Sequence, residues 1–73
     1  MHIYRYGTLM RPPGPGAVPR KGLMQTIGRH ITAPSGHFCW GTAEYDRPLT
    51  DEEISEYELE FIEEYDMEDA DEH

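Results

Sequence analysis

Leu49-Thr50-Asp51-Glu52-Glu53-Ile54-Ser55-Glu56-Tyr57-Glu58-Leu59-Glu60-Phe61-Ile62 is the stretch on which the fold turns. Thr50 suits an N-cap, Glu53 completes a capping box, Asp51 and Glu52 favour the positive end of a helix dipole, and Leu49 with Ile54 makes a hydrophobic staple. A helix therefore starts at residue 51. Its end reads two ways. Ile54, Tyr57, Phe61 and Ile62 keep helical spacing, whereas Tyr57-Glu58-Leu59-Glu60-Phe61 alternates as a strand does. The favoured reading is helix to about Glu58, with a short strand over 59–62 as its rival.

Upstream, the pattern changes to a period of two. His2-Ile3-Tyr4-Arg5-Tyr6 alternates, with Ile3 on one face and Tyr4 and Tyr6 on the other, and reads as a first strand. Residues 7–22 hold four Gly and four Pro, which exclude a helix or a central strand and predict a long loop, a kind of segment that is usually functional or disordered. Leu23 to Thr32 is strand-like through Thr26, Ile27, Ile31 and Thr32, with Gly28 weakening its middle or marking a bulge. The turn Ala33-Pro34-Ser35-Gly36 then leads into 37–45, where Phe38, Trp40 and Thr42 share one face and Cys39, Gly41, Ala43 and Tyr45 the other, so a hairpin is expected. Phe38 and Ile31 are assigned to the core. The resulting fold class is α+β: a small antiparallel sheet of two to three strands with one short C-terminal helix and a long Pro/Gly loop.

Charge divides the chain as sharply as periodicity does. Residues 1–43 contain the cations Arg5, Arg11, Arg20, Lys21 and Arg29 and no Asp or Glu; residues 44–73 contain all 15 carboxylates against Arg47, for a formal net charge of −9. The segment 63–73 repels itself and is expected to be a disordered acidic tail behind a single domain over 1–62. With 73 residues the core is small, since such a domain buries only about 60% of its unfolded surface, and self-association into a homo-oligomer is expected. One cysteine, Cys39, excludes an internal disulfide. No run approaches about 18 apolar residues and no leader pattern appears, which leads to the expectation of a cytoplasmic protein without a membrane partner.

The segment Tyr45-Asp46-Arg47-Pro48-Leu49-Thr50-Asp51-Glu52-Glu53-Ile54-Ser55-Glu56-Tyr57-Glu58-Leu59 resembles small bacteriophage and prophage proteins of the defence-against-restriction-A-related family. Ile3-Tyr4, Gly14-Pro15-Gly16, Pro19-Arg20-Lys21-Gly22 and Tyr45-Asp46-Arg47 fall in the order found there, so the resemblance covers residues 3 to about 60. Arg20, placed between Pro19 and Lys21, departs from the pattern, as does the strongly acidic tail. The resemblance implies a phage-side, non-enzymatic protein that counters a bacterial defence, and it carries over no catalytic residue.

Within that context the acid-free half is where a ligand is expected. Phosphate recognition needs cationic donors beside backbone that can be closely approached, and Arg11, Arg20, Lys21 and Arg29 lie in or near the Pro/Gly loop. Tyr4, Tyr6 and Trp40 are aromatic faces suited to stacking a base. Together these seven residues predict sequestration of a phosphorylated nucleotide immune signal, a cyclic oligonucleotide or an ADP-ribose derivative. The plainer alternatives are that the cations solubilise the loop and pair with the acidic helix, and that the aromatics are core. Two other functions fit the composition: an acidic inhibitor that imitates nucleic acid on a restriction or CRISPR nuclease, or a virion component. Net charge argues against direct DNA binding. His2, His30, His37 and Cys39 match no structural zinc spacing, no cofactor is expected, and Cys39 with His37 lacks an oxyanion hole and an orienting carboxylate for catalysis.

Overall fold

The structure is a computed structural model and describes residues 1–67. Strands β1 (His2–Thr8), β2 (Leu23–Ile27), β3 (Ile31–Thr32), β4 (Phe38–Cys39) and β5 (Gly41–Tyr45) precede the helix α1 (Asp51–Glu56), and β6 (Leu59–Asp66) follows it. Four strands form one antiparallel sheet in the order β2-β5-β1-β6, and β3 pairs with β4 as a separate two-stranded sheet. The sheet is thus larger than the two to three strands expected, and the rival reading of 59–62 as strand is the correct one.

The helix begins where the capping box places it. Thr50 accepts from the Glu53 backbone, Glu53 reaches back to the Thr50 backbone, and no basic residue occupies the last turn. The helix ends at Glu56, short of two turns and of the Glu58 expected, and Glu58 takes a left-handed backbone, φ 57°, which redirects the chain into β6. There its carbonyl accepts from the Leu9 N–H at 3.1 Å, fastening the corner to the end of β1. Residues 63–66, expected to belong to an acidic tail, are part of β6. Their mutual repulsion is offset across the strand: Glu63 lies opposite the Arg5 guanidinium, and Asp66 lies opposite His2, whose ring it hydrogen-bonds at 2.9 Å. Residues 68–73 of that expected tail lie outside the described residues.

Alternation along β1 and β5 gives the main sheet two different faces. Tyr6, Ala43, Tyr45 and Leu59 point to a core completed by Leu49 and by Ala17 and Val18 of the Pro/Gly segment, with Tyr4, Leu23, Ile54 and Tyr57 packed around it. Two buried phenols fix the loops over this core: the Tyr45 hydroxyl donates to the Pro19 carbonyl at 2.6 Å, and the Tyr6 hydroxyl accepts from the Leu49 N–H at 2.9 Å. Burial pushes the Tyr45 hydroxyl well above its ordinary pKa. The opposite face carries Ile3, Thr42 and Glu44, with Ala33 and Cys39 of the β3–β4 hairpin also buried. Gly7 permits that hairpin to approach, because a Cβ there would sit 2.5 Å from the Cys39 sulfur.

The hairpin expected around Pro34-Ser35-Gly36 forms, closed by Ala33 N–H to His37 carbonyl at 2.8 Å, but its strands are broken. Gly28-Arg29-His30 separates β2 from β3, and Trp40 separates β4 from β5, where its N–H turns to the Thr8 carbonyl at 2.8 Å. Phe38 consequently leaves the main sheet and is 49% exposed, which corrects its assignment to the core.

Candidate functional site

A polar row crosses the face opposite the main core. Register places Gln25 beside Glu44, Glu44 beside Arg5, and Arg5 beside Glu63 on four neighbouring strands. The Glu44 side chain is 3% exposed, yet it is fully engaged: Arg5 Nε donates to Oε2 at 2.8 Å, Gln25 Nε2 donates to Oε1 at 2.7 Å, and the Tyr65 hydroxyl donates to Oε2 at 3.2 Å. Arg5 also meets Glu63 at 2.5 Å and lies over the Tyr65 ring. Burial works to raise the Glu44 carboxyl, but the bonds from Gln25 and Arg5 outweigh it and hold the group below the ordinary carboxylate range. Among the described residues no buried side-chain polar atom lacks a partner. This row is built for cross-strand stability, and sequence reasoning missed it.

Ion pairing also redistributes the seven nominated residues. Arg11 is exposed and meets Glu58 through one guanidinium nitrogen at 3.2 Å, whereas Tyr6 is 2% exposed with its hydroxyl accepting from the Leu49 N–H, so its ring is part of the core. Tyr4 is half-buried, with the His2 ring edge-on at 5.0 Å. Arg20, Lys21 and Arg29 are exposed and make no ion pair among the described residues. They do not converge. Arg20 and Lys21 precede β2 and Arg29 follows it, so an extended five-residue strand holds them roughly 15 Å apart.

Each end of β2 has its own surroundings. Beyond its C-terminal end, Trp40 is 37% exposed and Phe38 49%; their rings meet edge-to-face at 5.4 Å, and His30 closes the group at 5.0 Å from Phe38 and 5.5 Å from Trp40. Three exposed π systems meet at this corner, and Arg29 immediately precedes His30 in the chain. At the N-terminal end, Arg20 stands at a pocket of about 340 Å³ whose other lining residues are Gly14, Pro15, Val18, Leu23 and Thr26. A second pocket of about 410 Å³ lies between the helix and the end of β1, lined by Leu9, Met10, Asp51, Ile54, Ser55, Glu58 and Leu59.

The hairpin turn gathers Ser35, His37 and Glu60, residue types that can form a nucleophile relay. Their geometry is different: Glu60 Oε1 meets His37 Nδ1 at 2.7 Å, the Ser35 hydroxyl meets the same nitrogen at 3.2 Å, and Ser35 also donates to Glu60. With acid and hydroxyl on one ring nitrogen, no proton path runs from Ser35 through the imidazole to Glu60. Cys39 is buried and its thiol donates weakly to the His37 carbonyl at 3.9 Å rather than to the ring. Burial, with the Glu60 charge behind it, pushes that thiol up in pKa, away from the thiolate form a nucleophile needs.

Comparison with known proteins agrees with the arrangement of the chain's motifs. A family model described as "Defence against restriction A C-terminal" matches residues 1–67. The Defense against restriction protein A of Escherichia phage P1 is 39% identical over 61 residues, covering 81% of this chain and 9% of the phage protein. This chain therefore corresponds to a small fraction of that relative's length. No solved structure gives a significant match.

Proposed function

The chain belongs to the Defence against restriction A C-terminal family, and we propose on that premise that it serves phage counter-defence by binding, in the host cytoplasm, a component of a bacterial restriction response. Binding is preferred to catalysis because the groups that could do chemistry are engaged with one another: Arg5 with Glu44, Arg47 with Glu53, His37 with Glu60, and His2 with Glu64. The observation that carries the reading is the exposed His30–Phe38–Trp40 corner, with the exposed Arg29 next to His30 in the chain. Aromatic rings next to a guanidinium can stack a base and hold a phosphate.

The ligand class proposed is accordingly a phosphorylated nucleotide signal, a cyclic oligonucleotide or an ADP-ribose derivative, engaged by Trp40, Phe38 and Arg29. Arg20 and Lys21, at the far end of β2, fall outside that footprint. The rival picture of an acidic nucleic-acid mimic has less support, because Glu44 is buried against Arg5 and Glu53 is held by Arg47, which takes both out of any continuous acidic surface. Calorimetry against a panel of cyclic dinucleotides, cyclic trinucleotides and ADP-ribose tests the proposal. At least one should bind, and Arg29→Glu with Trp40→Ser should weaken it by at least about tenfold, the loss of one stacked base and one charge-assisted contact. Absence of binding across the panel, or unchanged affinity in the double variant, would overturn it.

A further inference from the structure

We propose that copies of this chain join head to tail, the outer edge of β6 in one copy adding as a strand to the free edge of β2 in the next, with Phe61 entering the pocket beside Arg20. Both strands end the main sheet, so each carries backbone donors and acceptors without a ladder partner on its outer side. The two edges are opposite in charge. β2 and its flanks, residues 20–30, contain Arg20, Lys21 and Arg29 and no carboxylate, whereas β6 contains Glu60, Glu63, Glu64 and Asp66. Pairing of like edges, β2 on β2 or β6 on β6, sets charges of one sign against each other. Only the mixed contact is complementary.

Strand direction and face agree with it. β2 and β6 run oppositely, since each is one antiparallel step further out from β5 and β1, which are themselves antiparallel. A second copy translated along the sheet therefore offers β2 antiparallel to β6, with the core faces of both copies on the same side. Phe61 is opposite Tyr6 and so lies on that core side, where it is 44% exposed. The pocket lined by Leu23, Thr26, Val18 and Arg20 opens on the same side of β2, and its volume is about 340 Å³. An apolar cavity of about 150 Å³ already accepts a benzene ring, so a phenyl group has room. A register with the incoming Phe61 opposite Thr26 carries Glu64 and Asp66 toward Lys21 and Arg20. The contact is heterologous and does not close as a dimer.

Sedimentation velocity on the chain, from micromolar to millimolar concentration, tests this inference independently of nucleotide binding, because Arg29 and Trp40 are untouched. The weight-average mass of the wild type should climb with concentration and pass the dimer value. Arg20→Glu with Lys21→Glu should remain monomeric, as should Glu64→Lys with Asp66→Lys, and mixing these two charge-swapped variants should restore association. Phe61→Ser should weaken assembly by at least about tenfold, the worth of one buried phenyl ring. Circular dichroism of each variant establishes that it is folded. A wild type that stays monomeric, a closed dimer that survives either charge swap, or a mixture that fails to associate would overturn the proposal. So would a monomer that binds a synthetic peptide of residues 59–66 without self-associating, since the β2 edge would then belong to a different occupant.

Discussion

Replacing Arg5 by Met removes the guanidinium from Glu44, whose side chain is 3% exposed, and leaves it only the Gln25 amide and the Tyr65 hydroxyl. Breaking a buried ion pair from one side costs about 3–5 kcal/mol. The Arg5 side chain is itself 29% exposed, so water reaches one side of the pair and the lower end, about 3 kcal/mol, is expected. A chain of 73 residues has on the order of 4–11 kcal/mol of stability in total, so the variant retains a weakened native state. At a urea slope of about 1–1.5 kcal/mol/M, its midpoint falls by roughly 2–3 M. Glu44→Gln should cost less, because the amide keeps the shape and Arg5 keeps Glu63. In the wild type the folded Glu44 pKa lies below its unfolded value; its contribution is present above about pH 4.5 and is lost as pH falls through the folded pKa. Without Arg5, burial dominates and the folded pKa rises, so protonation relieves the variant. Urea titrations monitored by Trp40 fluorescence should show the stability gap between wild type and Arg5→Met narrowing from pH 7 to pH 4.5. A gap below about 1 kcal/mol at pH 7, or one that does not narrow, would refute the reasoning.

Gly41→Ala should lower stability by about 3 kcal/mol in a thermal melt, because the new Cβ would sit 2.5 Å from the Ile27 carbonyl oxygen and 2.6 Å from Pro13 Cδ. Glu58→Gly should raise the melting temperature: it relieves a left-handed residue worth about 1–2 kcal/mol at the expense of an exposed pair with Arg11 worth at most about 1 kcal/mol, and a fall would count against the strain assigned to φ 57°. Hydrogen bonds to Asp66 and then Glu64 raise the His2 pKa above 6.5, so its stabilisation is complete below that pH and lost as pH rises through the folded value. His2→Gln should flatten the decline in melting temperature on the alkaline side of pH 6.5, and an NMR titration of the His2 ring should give a midpoint above it.

The helix start was legible because a capping box is local: Thr50 and Glu53 satisfy each other within one turn. Strand β6 was harder, since its acidic residues look self-repelling until Arg5 and His2, some 60 positions earlier in the chain, are placed opposite them. For the same reason Glu44 passed as one carboxylate of 15. Its neighbours Ala43 and Tyr45 face the other side of the strand, and its partners Arg5 and Gln25 are set by register across β1, β5 and β2, which no local pattern reveals. Alternation correctly divided Ile3 from Tyr4 and Tyr6. Which face becomes core depends on where the Pro/Gly segment sends Ala17 and Val18, and that choice buried Tyr6. Trp40 remained exposed because the break beside it removes β4 from the main sheet, an outcome a continuous strand over 37–45 did not anticipate.

The most direct test of the function is the plating efficiency of a restriction-sensitive phage on a restriction-proficient host that expresses either the wild-type chain or the folded Arg29→Glu/Trp40→Ser variant. If the chain counters the response by binding through the aromatic corner, the wild type should raise plating and the variant should return it to the level of the empty host. Equal protection by the two proteins would contradict a binding role for that corner, and no protection by either would contradict the counter-defence function itself.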